Sequence, residues 1–291
     1  MSRIDYTAIG ERLRAYRIGR QLNADQVAEK LDISRAAVYR LERGTIVKLD
    51  TLERMADLLK VPVNSLLGSE TEYFENALGY FERMRQLEAK SFKVVSYFDP
   101  FSYLLTSPQY SEYFVTMLEE AKPRYFSKKD EDMQQQILDI LDERKQTFSK
   151  QNFEVHSIIS LRQIERFLHI GLVGKLDLPS SLRMERALQA RREVEYLIDR
   201  IGEENSKLNI YLIDELLPNM TFQIFHQKSA CYVAVSPYRL GELPNIHCGI
   251  ASVTASVEAV EMYKNMANEL LERSVSGKRA KQQLTALLAK L

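Results

Sequence analysis

The most informative side chains of this sequence lie within residues 35–43, a segment without Gly or Pro. An α-helix turns about 100° per residue, which would place five side chains of the segment within one arc of roughly 140°. They are Arg35, Ala36, Tyr39, Arg40 and Arg43. An Arg guanidinium can bridge the O6 and N7 atoms of guanine, and a small Ala can approach a thymine methyl group. The segment therefore predicts a helix whose exposed face could contact base pairs in a major groove.

Local signals around this segment predict a preceding helix and a tight turn. Asn23 and Gln26 have the spacing of a capping box, so a helix is expected to begin there. Asp32 tolerates the left-handed conformation that the turn needs, and Ser34 is suited to cap the next helix. Gly44 stands where a left-handed residue commonly ends a helix.

Three further helices complete the predicted five-helix unit. Asp50 and Glu53 resemble a second capping box, and Pro62 should end the helix that follows them. Residues 64–67 are expected to form a last short turn of helix. The first helix is predicted from an apolar stripe at steps of three and four, formed by Ile9, Leu13 and Tyr16.

Residues 9–67 resemble the helix-turn-helix of the Cro/C1 repressor class, also called the Xre class. That class has an Arg in its first helix, then L-T-Q-x-x-L-A, and then S-x-x-x-[IV]-x-x-[LIW]-E-x-G. This sequence has Arg17, then residues 22–28 as L-N-A-D-Q-V-A, then Ser34, Val38 and residues 41–44 as L-E-R-G. It departs from the class at Ala24, where Gln is usual, at Asp32, where Gly is usual, and after Gly44, where the common Pro is absent.

The resemblance implies sequence-specific DNA binding and a role for individual residues. Those implied to face base pairs are Ser34, Arg35, Ala36, Tyr39 and Arg40. Those implied to lie near the phosphate backbone are Asn23, Arg43, Thr45 and Lys48. The resemblance also implies that Arg17 pairs with Glu42 inside the domain, so that Glu42 is structural. The alternative is an ordinary small helical bundle that contacts no DNA.

The composition of the whole chain limits the class of protein. A length of 291 residues predicts two domains, and 45% apolar residues are normal for a globular protein. Residues 1–68 carry twelve Lys or Arg and nine Asp or Glu, so their net charge is +3 in a chain that is neutral overall. No stretch approaches the ~20 apolar residues of a membrane span, and the N-terminus lacks an apolar signal core. With two cysteines that fit a reducing compartment, we expect a soluble cytoplasmic protein without a membrane partner.

The sequence predicts an all-α helix-turn-helix domain over residues 1–68, a linking amphipathic helix over residues 69–90 and a second domain over residues 91–291. The linking helix is expected from apolar residues at steps of three and four, which are Phe74, Leu78, Phe81, Met84 and Leu87. This stripe could dock on the second domain or on a partner subunit, because a two-fold DNA site is commonly matched by a homodimer.

The second domain is predicted to be α+β with a mostly antiparallel sheet. Strands are expected at residues 92–98, 153–159, 208–213, 221–226, 229–235 and 247–253, which are rich in β-branched or aromatic residues. Helices are expected at residues 107–121, 128–150, 160–169, 180–200, 257–274 and 279–291.

The second domain also resembles the domain, assumed to bind ligands, that follows the same helix-turn-helix in many actinobacterial regulators. That family has L-E-x-x-A and then P-G-L-L-Q-T-x-x-Y. The corresponding residues are Leu87 and Glu88, and then residues 104–110 as L-L-T-S-P-Q-Y. Departures from the pattern occur at Ser91, Ser102, Tyr103 and Thr106. The resemblance implies a sensor of an undefined small-molecule effector.

A dense run of aromatic residues near the start of this domain has two interpretations. The run consists of Tyr97, Phe98, Phe101, Tyr103, Tyr110, Tyr113 and Phe114. Four of them could line an apolar effector pocket with phenol groups that fix orientation, namely Tyr97, Phe101, Tyr103 and Tyr110. The alternative is core packing at a junction between a strand and a helix.

The remaining residue types give no catalytic or metal-binding pattern. Of the four His, only His169 shares a helical face with an acidic residue, Glu165, and no third ligand accompanies them. Cys231 and Cys248 could approach each other, but a buried reduced Cys is the common case. No phosphate-binding Gly loop, nucleophile elbow or catalytic carboxylate pair occurs. We therefore expect no enzyme activity, no cofactor and no metal.

The two resemblances together imply a DNA-binding transcriptional regulator, most simply a repressor. They imply a homodimer on a two-fold operator, with a second domain that senses an effector. The alternative is an antitoxin-like or phage-type repressor whose second domain binds a protein partner.

Overall fold

The computed structural model describes residues 5–45, 48–68, 71–150, 153–202, 207–217 and 220–290. Within this part of the chain, the N-terminal region is helical. Its helices are α1 (Tyr6–Gly19), α2 (Ala24–Leu31), α3 (Arg35–Glu42), α4 (Leu49–Leu59) and α5 (Val63–Leu67). Each of the first four contributes a fully buried side chain to the core between them, namely Leu13, Val27, Val38 and Met55.

The turn between α2 and α3 forms as the sequence predicts. Asn23 Oδ1 accepts a hydrogen bond from the Gln26 backbone N–H, and Gln26 Oε1 accepts one from the Asn23 backbone N–H, both at 2.8 Å. Asp32 ends α2 in the left-handed region with a φ of 50°. Ser34 Oγ accepts a hydrogen bond from the Ala37 N–H at 3.2 Å. The caps predicted at Asn23 and Ser34 are therefore confirmed.

Gly44, just after α3, occupies a position that suits glycine for two reasons. Its φ is 76°, in the left-handed region that the sequence predicts for it. A Cβ atom at this position would also lie 2.6 Å from backbone atoms of Thr7 at the start of α1. Any side chain here would therefore push α1 away from the end of α3.

Helix α4 begins differently from its prediction. It starts at Leu49, with Lys48 at the N-cap and no side-chain cap hydrogen bond. The capping box predicted for Asp50 and Glu53 is therefore wrong, because the helix begins before Asp50. Asp50 lies in the first turn instead, where the helix dipole stabilises a negative charge.

The helix predicted over residues 69–90 is shorter than expected. Residues Glu72–Phe74 form strand β1, whose side chains alternate between buried and exposed, and residues 69–70 lie outside the described residues. Helix α6 (Ala77–Lys90) begins only after Asn76, whose side chain accepts a hydrogen bond from a backbone N–H of the first turn at 3.1 Å. The prediction of one continuous linking helix is therefore wrong at its N-terminal end.

The strands after β1 are β2 (Lys93–Tyr97), β3 (Glu154–Ser160), β4 (Leu208–Ile213), β5 (Thr221–His226), β6 (Cys231–Ser236), β7 (Ala251–Thr254) and β8 (Val275–Ser276). Within the described residues they form one eight-stranded sheet in the order β1-β7-β6-β5-β2-β3-β4-β8. The pairs β2–β3 and β3–β4 are parallel, and the five other neighbouring pairs are antiparallel. The sheet is therefore mixed. Its parallel strands are connected by helical crossovers, as parallel neighbours require.

One predicted strand is displaced. A strand is expected over residues 247–253, but β7 begins at Ala251. Asn245 Nδ2 donates a hydrogen bond to the Cys248 carbonyl at 2.7 Å, and the Cys248 N–H donates to Asn245 Oδ1 at 3.1 Å. These side-chain bonds hold a turn before the strand and so delay its start.

The helices of the second part are α7 (Tyr110–Glu120), α8 (Lys128–Lys150), α9 (Leu161–Ile170), α10 (Ser180–Arg200), α11 (Val257–Arg273) and α12 (Gly277–Lys290). One apolar cluster lies between α11 and one face of the sheet. A larger cluster runs from the N-terminal helices through α6, α8 and α10 to α12. The N-terminal helices and the second part therefore share one continuous apolar core.

The crossing of α1 and α6 joins these two parts. Gly19 and Gly79 meet at the crossing, where a Cβ atom on Gly79 would lie 3.0 Å from the Gly19 Cα atom. Beside it the Tyr16 ring stacks on Phe74 with 5.0 Å between their centroids. The two helices therefore cross so closely that a Cβ atom on either glycine would require a shift of a few tenths of an ångström.

A buried charge cluster, Arg12, Glu72 and Arg83, spans the same junction and is called the junction cluster below. Glu72 accepts a hydrogen bond from Arg12 Nε at 2.8 Å and two from Arg83, at 2.8 and 2.9 Å. Burial opposes ionisation of Glu72, but the attraction of Arg83 and Arg12 outweighs it and lowers the pKa of that carboxyl. The charged cluster fixes α1 to β1 and α6.

Candidate nucleic-acid interface

Helix α3 presents outward the side chains that the sequence predicts to face base pairs. These five residues, called the α3 face below, are all exposed. They are Ser34, Arg35, Ala36, Tyr39 and Arg40. On the opposite side of the helix, Val38 is fully buried and Leu41 is nearly so. The apolar side therefore fixes the helix while the side that carries two arginines is open to solvent.

The residues predicted to lie near DNA phosphates flank α3 and are also exposed. They are Asn23, Arg43, Thr45 and Lys48. Asn23 precedes α2 and Arg43 follows α3, whereas Thr45 and Lys48 border residues 46–47, which lie outside the described residues. The predicted phosphate-contacting groups thus lie before and after α3 in the chain, and their contact with DNA stays a prediction.

Three cations of this surface have no acidic partner in the part of the chain that the structure describes. Among the described residues, no carboxylate lies within ion-pair distance of Arg40, Arg43 or Lys48. A cation of this kind can meet a phosphate or a base edge without first breaking an ion pair.

Arg35 is the exception on the α3 face. Its Nη1 lies 3.4 Å from Asp25 Oδ2, its Nη2 donates a hydrogen bond to the Tyr39 hydroxyl at 3.3 Å, and its guanidinium lies 5.6 Å from the Tyr39 ring centroid. The hydrogen bond to Tyr39, followed by the attraction of Asp25, raises the pKa of Arg35. Sequence reasoning misses Asp25, because only the packing of α2 against α3 brings it to this face.

Arg17 and Glu42 lie together inside the N-terminal domain. Arg17 Nε and Nη2 donate hydrogen bonds to the two carboxylate oxygens of Glu42 at 2.5 and 3.1 Å, and Nη1 donates to the Leu22 carbonyl at 2.7 Å. Both side chains are largely buried. This bidentate pair connects α1 to the C-terminal end of α3 and so helps to hold the α3 face in place.

The four aromatic residues predicted to line an effector pocket divide between two apolar clusters of the described residues. Phe101, Tyr103 and Tyr110 pack in the larger apolar cluster, whereas Tyr97 packs in the cluster beneath α11 on the other face of the sheet. Each of the three phenol groups has a protein hydrogen-bond partner within 3.1 Å. A cavity of about 20 Å³ touches only Phe101 and Tyr103 of the four. The packing of these residues favours the alternative of a core, and an effector pocket around them stays a prediction.

The sequence also raises three other kinds of site: a metal site, a membrane-spanning helix and a reactive cysteine. The described residues contain no group of three His, Cys, Asp or Glu side chains that could hold a metal ion. In the same ranges, no helix has the length and apolar character needed to cross a membrane. Cys231 is half-buried and Cys248 is exposed, and both are free thiols. Burial raises the pKa of Cys231, which disfavours the reactive thiolate.

Comparison with known proteins supports a helix-turn-helix domain in the N-terminal part of the chain. The family described as "Helix-turn-helix domain" matches residues 8–66. The chain is 36% identical over 73 residues to the immunity repressor protein of Bacillus phage phi105, a match that covers 25% of this chain and 51% of that protein. It is 28% identical over 125 residues to the HTH-type transcriptional repressor RghR of Bacillus subtilis (strain 168), covering 42% of this chain and 82% of that one.

The match to the phage repressor thus spans about half the length of that protein. A solved structure described as the apo form of ComR from S. thermophilus is 15% identical and covers 67% of this chain and 51% of that chain. Its TM-score of 0.20 is too low to indicate a shared fold. The resemblance of the second domain to the actinobacterial sensor domain stays a prediction.

Proposed function

We propose that this chain, whose residues 8–66 form an Xre-like helix-turn-helix domain, is a repressor that binds a two-fold operator as a homodimer. Its second domain is proposed to sense an effector. The observation that carries the proposal is the α3 face, an exposed surface with two arginines on a helix that is fixed from behind. Similarity to two proteins named as repressors supports DNA binding and the sign of regulation.

In this proposal α3 enters the major groove with the α3 face against base edges. Arg40 is assigned to a guanine, since its guanidinium is exposed and has no acidic partner among the described residues. Ala36 is small enough to approach a thymine methyl group. Ser34, Arg35 and Tyr39 complete the base-contacting set.

The phosphate-contacting set in this proposal is Asn23, Arg43, Thr45 and Lys48. Contacts to phosphates supply affinity and fix the register of the protein on DNA, but they carry no direct sequence information. Two of the four are cations without an acidic partner in the described part of the chain, which suits them to this role.

A homodimer is proposed because domains of this kind recognise half-sites about 34–36 Å apart on one face of DNA. The junction cluster and the close crossing of Gly19 and Gly79 tie α1 to β1 and α6, and α6 shares an apolar core with the second domain. In a dimer, the second domains would therefore set the distance between the two α3 faces. An effector that favours one arrangement of the second domains would shift the population able to bind the operator.

Selection from a pool of randomised duplex DNA by the full chain tests this proposal. We expect one sequence to be enriched, with two-fold symmetry and half-site centres about 10–10.5 base pairs, or a multiple of that, apart. A single half-site would contradict the homodimer. Failure to enrich any sequence would refute sequence-specific DNA binding.

One observation supports a second candidate function. Met184 and Leu188, one turn apart on α10, are 70% and 52% exposed, and Leu176 before the helix is 64% exposed. Apolar side chains exposed in one region are typical of a protein contact. In this alternative the chain is an antitoxin-like or phage-type repressor whose second domain binds a protein partner. Native mass spectrometry of the protein purified from its host separates the two, since a second polypeptide favours the alternative and a bare homodimer favours the proposal.

A further inference from the structure

A cavity of about 600 Å³ opens in the second domain between α8, α10 and the start of β4 and is called the α8–α10 cavity below. Its volume lies in the range of small-molecule sites. Its walls include the aromatic rings of Phe148 and Tyr196. Its charged lining consists of three basic residues and one acidic residue, which are Lys145, Arg200, Lys207 and Asp142.

Arg200 enters this cavity, and within the described ranges it makes no ion pair with a carboxylate. Its guanidinium carbon lies 5.9 Å from the ring centroids of both Phe148 and Tyr196. Among the described residues no carboxylate lies within ion-pair distance of it. Arg144 and Arg186 of the same domain, by contrast, each pair with a glutamate. Arg200 is thus held on two aromatic rings with its N–H donors available to an external anion.

Lys145 is the second cation that lines the cavity and makes no ion pair among the described residues. Its Nζ donates hydrogen bonds to Thr106 Oγ1 at 2.9 Å and to the Ser107 carbonyl at 2.5 Å, and it lies 5.1 Å from the Tyr103 ring centroid. These partners are neutral, so in the described part of the chain they orient the ammonium group without neutralising its charge.

Two carboxylates attract Lys145 from the surrounding helices, and each accepts hydrogen bonds from neutral groups. Both carboxylate oxygens of Glu193, on α10, accept hydrogen bonds from Ser107, at 2.5 and 2.8 Å. Asp142, on α8 itself, accepts hydrogen bonds from two hydroxyl groups. Burial lowers the pKa of Lys145 to about 8, with the repulsion of Arg200 adding to the effect against the attraction of Glu193 and Asp142.

We infer that the α8–α10 cavity binds a small organic anion, a carboxylate or phosphate on an apolar body, with Arg200 and Lys145 as its anion-binding residues. The anion would pair with Arg200, which has no carboxylate partner among the described residues, and would accept a further charge-assisted hydrogen bond from Lys145. Its apolar body would pack against Phe148 and Tyr196. The inference rests on the proposed function, because it names the ligand class of the proposed sensor.

The position of this cavity fits an effector site. Arg144, next to Lys145 on α8, is buried and donates hydrogen bonds to Glu88 of α6 at 2.6 and 2.9 Å. Helix α6 in turn packs on α1 at the Gly19 crossing. A ligand that displaces α8 would therefore act on the helix to which the DNA-binding domain is fixed.

Titration of the full chain with phenyl phosphate, with benzoate and with neutral benzyl alcohol, followed by ligand-observed NMR without DNA, tests this inference. We expect saturable binding of at least one anion, and none of benzyl alcohol. Binding of phenyl phosphate alone would identify a phosphate ligand, and binding of benzoate alone a carboxylate ligand. Arg200→Gln should weaken anion binding at least about tenfold, as expected for the loss of a charge-assisted contact.

The matched control is Arg192→Gln, since Arg192 is exposed on the same helix and does not line the cavity. It should leave the anion affinity unchanged, and a thermal melt of both variants checks that they are folded. Equal affinities in the two variants, or no saturable anion binding by the wild-type chain, would overturn the inference. Because no DNA is present, this outcome is distinct from a failure of the DNA-binding proposal.

The pH dependence of the anion affinity supplies a second test of the inference. Lys145 loses its proton as pH rises through its pKa of about 8, so the affinity for the anion should fall about tenfold between pH 7 and pH 9. In Lys145→Gln this fall should disappear. An unchanged pH dependence in that variant would contradict the assignment of Lys145.

Discussion

Two regions of the molecule use arginine in opposite ways. At the junction with the second domain, Arg12 and Arg83 are buried and share one carboxylate, that of Glu72. On the α3 face, Arg40 is exposed and has no acidic partner among the described residues. A buried paired arginine holds helices together, whereas an exposed unpaired arginine is available to an external anion.

The largest effect is expected where the carboxylate of the junction cluster is removed. Glu72→Gln leaves two buried guanidinium groups without a counter-charge, so the free energy of unfolding should fall by about 3–5 kcal/mol in chemical denaturation of the full chain. The matched control is Glu75→Gln, because Glu75 pairs with Arg20 at the surface, where a pair contributes about 0–1 kcal/mol. An equal loss of unfolding free energy in the two variants would mean that the buried cluster stabilises the fold no more than an exposed ion pair does.

Acid should weaken the junction cluster through the same carboxylate. Since the pKa of Glu72 is lowered in the folded chain, its ionisation adds stability at neutral pH. That contribution should decline as pH falls below the ordinary Glu value of 4.5 and be lost below the folded pKa. Denaturation of the wild type should therefore show a steeper loss of stability over this window than denaturation of Glu72→Gln. Parallel pH profiles would argue against an ionised Glu72.

A smaller effect is expected from a cation assigned to phosphates. Arg43→Ala should weaken binding to the selected operator and to an unrelated duplex by the same factor, and should reduce the salt slope by about 1. Fluorescence anisotropy at several salt concentrations measures both quantities. Lys281→Ala, at an exposed site on α12, serves as the control and should change neither. A selective loss of operator binding in Arg43→Ala would move Arg43 into the base-contacting set.

The smallest effect is expected at Asp25, the acidic neighbour of Arg35. Asp25→Asn releases Arg35 from an exposed ion pair and removes a negative charge near the DNA-facing surface. Affinity for any duplex should rise a few-fold at most, since exposed pairs contribute about 0–1 kcal/mol. Asp57→Asn, at an exposed site on α4, is the comparison variant. Identical affinities in the two variants would mean that Asp25 does not restrain Arg35.

The two regions also differ in how far the sequence predicts them. The turn before α3 could be predicted because its determinants are local: Asn23, Asp32 and Ser34 act on backbone groups within a few residues. The junction cluster could not, because Arg12 and Glu72 are sixty residues apart and meet only in the folded chain. Strands β1 and β8 could not be predicted from the sequence either, because three and two residues are too few to show an alternating pattern.

The aromatic residues of the second domain illustrate the same limit. Their types are compatible with a pocket or a core, and only the topology of the sheet separates Tyr97 from Tyr103 and Tyr110. The two cations of the α8–α10 cavity could not be brought together from the sequence, because Lys145 and Arg200 come from helices that are distant in the chain.

Arg40, the unpaired arginine of the α3 face among the described residues, is proposed to recognise the base sequence of the operator. The most direct test of this proposal is the ratio of affinities for the selected operator and for a scrambled duplex of the same composition, measured with the wild type and with Arg40→Ala. We expect the ratio to fall by about 10–100-fold, equivalent to a bidentate base contact of about 1–3 kcal/mol, while chemical denaturation stays unchanged. An unchanged ratio in Arg40→Ala would contradict the assignment of Arg40 to base recognition.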